Sequence, residues 1–226
     1  DDWGRFEGRG QRAEKDGAAS PGRRGFFGRL VLGIAFLTLG VPAGAQALNE
    51  PQQVVQRVSD GLRRVLREDR GLLESDPASV HRLVDELFMP NVDYRRVCAL
   101  VLGAYWKQAT PAQREAFGDE FETLLINTYA TAVNELSEWE IRYLPLRLGP
   151  KNTDVVVRTQ VLHPGGEPID VDYRMHKSDG RWLAYDVKVA GVSLLTNYRS
   201  TFTRMARKKG VDGLIEDLAA RNAMRM

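Results

Sequence analysis

Ala99-Leu100-Val101-Leu102-Gly103-Ala104-Tyr105-Trp106-Lys107-Gln108-Ala109-Thr110-Pro111-Ala112-Gln113-Arg114-Glu115-Ala116-Phe117 is the stretch that decides the fold. It closes one apolar helix and opens the longest amphipathic helix of the chain. Thr110 suits an N-cap and Pro111 the first helical turn. Gln113 stands three residues after the cap, where it can reach back and complete a capping box. Downstream, Phe117, Phe121, Leu124, Leu125, Thr128, Tyr129, Ala132 and Leu136 recur at three- and four-residue steps. That spacing predicts a helix from Pro111 to about Leu136 with one broad apolar face.

Beyond this helix the period changes from 3.6 to 2. Trp139, Ile141 and Tyr143 alternate with Glu140 and Arg142. Val155, Val157, Thr159 and Val161 form a second alternating set, and Ile169, Val171, Tyr173 and Met175 a third. Leu183, Tyr185, Val187 and Val189 form the fourth. Pro164-Gly165-Gly166 and Ser178-Asp179-Gly180 supply turns between them. Four strands with short connections predict an antiparallel sheet, apolar on one side and polar on the other. A further helix follows, with Leu194, Leu195, Tyr198, Phe202 and Met205 on one face, Ser193 as its cap and Gly210 as its stop. A last short helix holds Leu214, Ile215 and Leu218.

On the N-terminal side, Val54, Val55, Val58, Leu62, Val65 and Leu66 make a helical stripe. Asp76-Pro77 opens a second helix carrying Val80, Leu83, Val84, Leu87 and Phe88, and Pro90 ends it. Asp93 suits a cap for the helix that runs into the opening stretch. Helices, then four strands, then helices predict an α+β domain: a four-stranded twisted antiparallel sheet covered on one face by several helices.

Residues 1–20 are polar, Gly- and Arg-rich and aperiodic, and are expected to be a disordered or artificial extension. Residues 21–47 run from basic (Arg23, Arg24) through apolar (Leu30 to Val41) to small (Ala43, Ala45, Ala47). That order predicts a cleaved export signal, of twin-arginine or ordinary secretory type. Its apolar run of about 12 residues falls short of the about 20 that a membrane span takes. The folded domain is then residues 48–226.

The 226 residues are 43% apolar and 27% charged, as in globular domains. Residues 1–47 hold seven of the 32 basic and five of the 30 acidic residues, leaving 25 of each and no net charge. Such balance gives no support for a nucleic-acid partner. Cys98 is the single cysteine, so the chain has no internal disulfide, and its apolar setting reads as core.

No catalytic arrangement is legible. His81, His163 and His176 are isolated, and no metal-ligand spacing occurs. Gly191-Val192-Ser193-Leu194-Leu195 lacks the closing glycine of a nucleophile elbow. Asp170 and Asp172 belong to the polar side of a strand. What remains is apolar surface, rich in aromatic residues. Periodicity alone leaves open whether it is a filled core or a lined cleft between sheet and helices.

The run Ala99-Leu100-Val101-Leu102-Gly103-x-Tyr105-x-Lys107-x-Ala109-Thr110-Pro111-Ala112-Gln113-Arg114-Glu115 closely resembles the MlaC family, also called toluene-tolerance auxiliary proteins. Trp182-x-x-Tyr185-Asp186-Val187, Gly191-Val192-Ser193-Leu194-Leu195, Tyr198-Arg199 with Phe202, and Gly210-x-Asp212-Gly213-Leu214 extend the resemblance from about Gln53 to Ala220. It implies a non-enzymatic, monomeric carrier of one diacyl phospholipid in the periplasm of a Gram-negative bacterium, with no cofactor. It implies two partners: an inner-membrane ABC transporter with a periplasmic substrate-binding ring, and an outer-membrane lipoprotein–porin complex. The system keeps phospholipid out of the outer leaflet and supports solvent tolerance. The family fold implies a sheet like that of nuclear transport factor 2, with helices enclosing an apolar cavity. Inward positions then give the expected lining. The helices contribute Leu100, Val101, Tyr105, Phe121, Leu125 and Tyr129. The strands contribute Tyr143, Val157, Val171, Tyr173, Tyr185 and Val189, and the C-terminal segment Val192, Tyr198 and Phe202. A carrier of a hopanoid or isoprenoid, and a lipid-free periplasmic adaptor, are the alternatives. A hydrolase of envelope lipids would need a nucleophile and base that the chain does not display.

Overall fold

The computed structural model describes residues 47–68, 77–134, 139–163 and 165–224. The expected extension and all but the last residue of the export signal lie outside them, as does Leu136. The elements are α1 (Glu50–Glu68), α2 (Pro77–Leu83), α3 (Tyr94–Leu102), α4 (Ala104–Gln108), α5 (Pro111–Asn134), β1 (Glu140–Tyr143), β2 (Asp154–Leu162), β3 (Ile169–Ser178), β4 (Arg181–Val189), β5 (Val192–Ser193) and α6 (Leu194–Ala223).

The helix ends form where the sequence places them. Thr110 N donates to Gln113 Oε1 at 2.9 Å and Gln113 N donates to Thr110 Oγ1 at 3.2 Å, a reciprocal capping box at the start of α5. Asp93 accepts from Arg96 N at 2.9 Å and caps α3, and Ser193 accepts from Thr196 N at 3.0 Å and caps α6. Gly103 (φ 58°, ψ −122°) separates α3 from α4. Gly210 (φ 75°, ψ −177°) is non-helical and divides α6 into two helical pieces at a kink, where the sequence places a stop before a last short helix. The helix expected to run to Phe88 is α-helical only to Leu83; a π-helical turn, Val84–Phe88, and a 3-10 turn, Met89–Asn91, complete it.

The sheet is an antiparallel meander in the order β1-β2-β3-β4-β5. The expected four strands are therefore five. Ala190 (φ 48°) and Gly191 (φ 81°) form a two-residue turn with both φ positive, which folds Val192–Ser193 back onto Lys188–Val189. Asp179 and Gly180 make the same kind of turn between β3 and β4.

One face is apolar, with Val155, Val157, Thr159 and Val161 on β2 beside Val171, Tyr173 and Met175 on β3. On β4 the expected alternation breaks. Arg174 pairs with Asp186 while Met175 pairs with Ala184, so Tyr185 is the extra residue of a β-bulge. The bulge reverses the parity that follows from the count by twos. Val187 shares the side of Tyr173, but Ala184 and Trp182 replace Leu183 and Tyr185 on the apolar face. Tyr185 lies with Arg174 and His176 on the opposite side.

Helical cover is not confined to one face. Val54 and Val55 of α1 pack with Val157, Met175 and Trp182 on the apolar face. The start of α3 sits at the β4 edge, where Asp93 N donates to Ala184 O at 2.9 Å. From there Arg96 stacks over the Tyr185 ring at 4.1 Å, on the polar face.

Candidate functional site

The apolar face is closed at one end by side-chain bonds that tie α1 to the sheet. Glu50 Oε2 accepts from Lys177 Nζ at 3.0 Å and from Trp182 Nε1 at 3.1 Å. These bonds hold the Glu50 carboxyl below the usual carboxylate range. Asn49 Nδ2 donates to Leu146 O at 2.7 Å and Gln52 Nε2 to Leu144 O at 3.0 Å, which pins the β1–β2 connection against the first turn of α1. Around the buried Val54, Val55, Val157, Met175 and Trp182 lie the half-buried Tyr143, Leu146, Leu148, Val155, Tyr173 and Ala184. Burial pushes the Tyr173 phenol up to about 12, with Tyr143 and Thr159 beside it.

A second apolar centre lies among the helices. The Phe121 ring stands 5.6 Å from Phe117, 5.4 Å from Phe202 and 5.0 Å from Tyr198, the last two edge-on. Tyr94 OH donates to Gly118 O at 2.7 Å, tying α3 to α5, and Asn222 Nδ2 donates to Glu120 O at 2.9 Å, tying α6 to α5. Burial raises the phenols of Tyr94 and Tyr198 above the ordinary tyrosine range. It also pushes the Cys98 thiol up to about 12, so Cys98 stays protonated at neutral pH and is an inert core residue.

The fifteen expected lining residues fall into distinct groups. Val101, Phe121, Tyr198 and Phe202 are buried in the helical centre. Val157 and Val171 are buried on the apolar sheet face, with Tyr143 and Tyr173 half-buried beside it. Leu100, Tyr105, Leu125 and Tyr129 are half-buried on the helices. Tyr185 is buried on the other side of the sheet, where its hydroxyl donates to Asp154 Oδ1 at 2.6 Å. Val189 and Val192 stand at the surface, 39% and 52% exposed, on the β4–β5 turn.

The expected lining left out Val54, Val55, Trp182 and Ala184, which pack on the apolar sheet face. The stripe of α1 announced the first two, and the bulge concealed the others. No group of three or more His, Cys, Asp or Glu among the described residues could hold a metal ion. No helix among them is long and apolar enough to cross a membrane.

The resembling motifs meet through specific bonds. Gln113 Nε2 donates to Asp212 Oδ1 at 2.6 Å, joining the start of α5 to the far half of α6. The buried Asp186 accepts from Ser193 Oγ at 2.8 Å and Leu195 N at 3.1 Å, so its carboxylate faces the N-terminus of α6. A side chain at Gly103 would meet the Arg199 guanidinium at 3.5 Å.

A family model described as MlaC protein matches residues 56–220. The chain is 27% identical over 174 residues to the intermembrane phospholipid transport system binding protein MlaC of Haemophilus influenzae, covering 76% of this chain and 81% of that protein. It is 25% identical over 181 residues to the toluene tolerance protein ttg2D of Pseudomonas putida, covering 80% and 84% respectively. Among solved structures, it is similar to a phospholipid-binding protein from Ralstonia solanacearum in complex with a phospholipid. That similarity has a TM-score of 0.73 at 35% identity, and covers 78% of this chain and 99% of the other.

Proposed function

The chain belongs to the MlaC family, and from that premise we propose that it carries a phospholipid through the periplasm of a Gram-negative cell. The observation that carries this is its likeness, at 35% identity and over 99% of the other chain, to a protein solved with a phospholipid bound. Two acyl chains of roughly 16 carbons, at about 0.8 kcal/mol per methylene, cost on the order of 25 kcal/mol to expose to water. A carrier with an apolar interior offsets that cost at both ends of the journey, and it needs no catalytic group because no covalent bond changes.

The acyl chains lie between the apolar sheet face and the helices, in a twisted frame like that of nuclear transport factor 2. Val157, Val171 and Tyr173 form the floor, and Leu125, Tyr129 and Tyr143 the sides. The half-burial of Tyr143, Leu125 and Tyr129 supports this placement. Residues 48–226 form the lipid-binding domain. Its partners are an inner-membrane Mla ABC transporter with a periplasmic ring and an outer-membrane lipoprotein–porin complex. The wall is tested by Leu125→Trp and Val171→Trp, each checked for folding by circular dichroism. Less than half of the wild-type co-purifying phospholipid is expected. Two folded variants with an undiminished lipid load would overturn the wall.

A further inference from the structure

The outer face of α6 carries a chemistry that lipid enclosure does not use. Thr196, Arg199, Ser200, Thr203, Arg204 and Arg207 line one shallow, open groove. Their spacing of three and four residues puts them on a single helical face about 16 Å long, opposite the buried Tyr198 and Phe202. From Val187 to Val211 the sequence holds six basic residues and no acidic one. No ion pair among the described residues engages Arg199 or Arg207. Immediately before this face, Val189 and Val192 pair across the β4–β5 turn and stand 39% and 52% exposed.

We propose that this surface, the first half of α6 with the β4–β5 turn, docks the protein onto the anionic phospholipid surface of a membrane. The inference rests on the carrier function above. Guanidinium groups fork onto phosphate oxygens, and the interleaved hydroxyls donate to the same oxygens. The two valines give a small aliphatic tip that enters the headgroup layer beside the charges. An exposed aliphatic tip next to a row of phosphate-binding donors fits a leaflet better than the carboxylates of an acidic protein surface. Residues 48–226 balance to no net charge, so outside residues 187–211 19 basic residues face 25 acidic ones and the attraction is local to this surface.

The test is flotation of the purified protein with vesicles of phosphatidylethanolamine and phosphatidylglycerol, and with vesicles of phosphatidylcholine alone. Binding to the anionic vesicles only, released by salt, is expected. Each arginine removed lowers the partition about fivefold, so Arg199→Ala with Arg207→Ala lowers it about 25-fold. Arg57→Ala with Arg64→Ala, an exposed pair on α1, leaves it unchanged, and Val192→Asp weakens it. The double α6 variant keeps the wild-type lipid load in a native mass spectrum. A lipid-loaded wild type that ignores anionic vesicles overturns the docking surface and leaves the carrier function standing. Equal loss from the α1 pair overturns it as well. A double variant that binds vesicles normally but fails in cells overturns it in favour of an acidic protein surface.

Discussion

Asp186 is a single side chain that joins sheet to helix. Asp186→Ala leaves the Leu195 amide without its acceptor and the Ser193 hydroxyl with only Thr196 Oγ1, at 3.1 Å. The expected cost is about 1–3 kcal/mol, measured by urea unfolding. Phe121→Ala empties the centre of the helical aromatic cluster and is expected to cost about 3–5 kcal/mol in the same measurement. Tyr173 sets an alkaline limit. In the unfolded chain its phenol ionises near 10, whereas in the fold burial holds the proton to about 12. Between those values the unfolded state binds fewer protons, so stability falls as pH rises. Base titration of Tyr173→Phe should show a shallower fall from pH 10 to 12 than wild type. The sequence made the caps Asp93, Thr110 and Ser193 legible, because each bonds within three residues of itself. It could not show that Gln113 also reaches Asp212, or that Glu50 holds Trp182, because those partners are brought together only by the fold.

Among the elements, periodicity located the main helices and strands, since each buries one side. It misjudged β4, because counting by twos assumes an unbroken ladder, and the bulge at Tyr185 shifts the alternation by one. It also omitted β5, whose two residues are too few to show a period. Gly210, read as a stop before a last short helix, does interrupt α6, at φ 75° and ψ −177°, a conformation that a side chain strains. Gly210→Ala should therefore cost about 1–3 kcal/mol in thermal or urea unfolding. Thr110→Ala removes one half of the α5 capping box and should cost about 1 kcal/mol, lowering the melting temperature by about 2–4 °C.

At the scale of the whole molecule, the balance of 25 basic and 25 acidic residues after residue 47 concealed an uneven surface. The helical period of α6 sets Arg199, Arg204 and Arg207 on one face, and the fold leaves that face open as a groove. The apolar content was legible, but its division into a sheet-facing set and a helical aromatic centre was not. Both sets obey the same periods, and only tertiary packing tells Val157 from Phe121. Carriage of a lipid is a property of that whole arrangement. The most direct measurement is a native mass spectrum of the protein purified without detergent from a Gram-negative periplasm, followed by lipid extraction. The account predicts a folded monomer with one diacyl phospholipid bound. A folded protein that carries no lipid would contradict it.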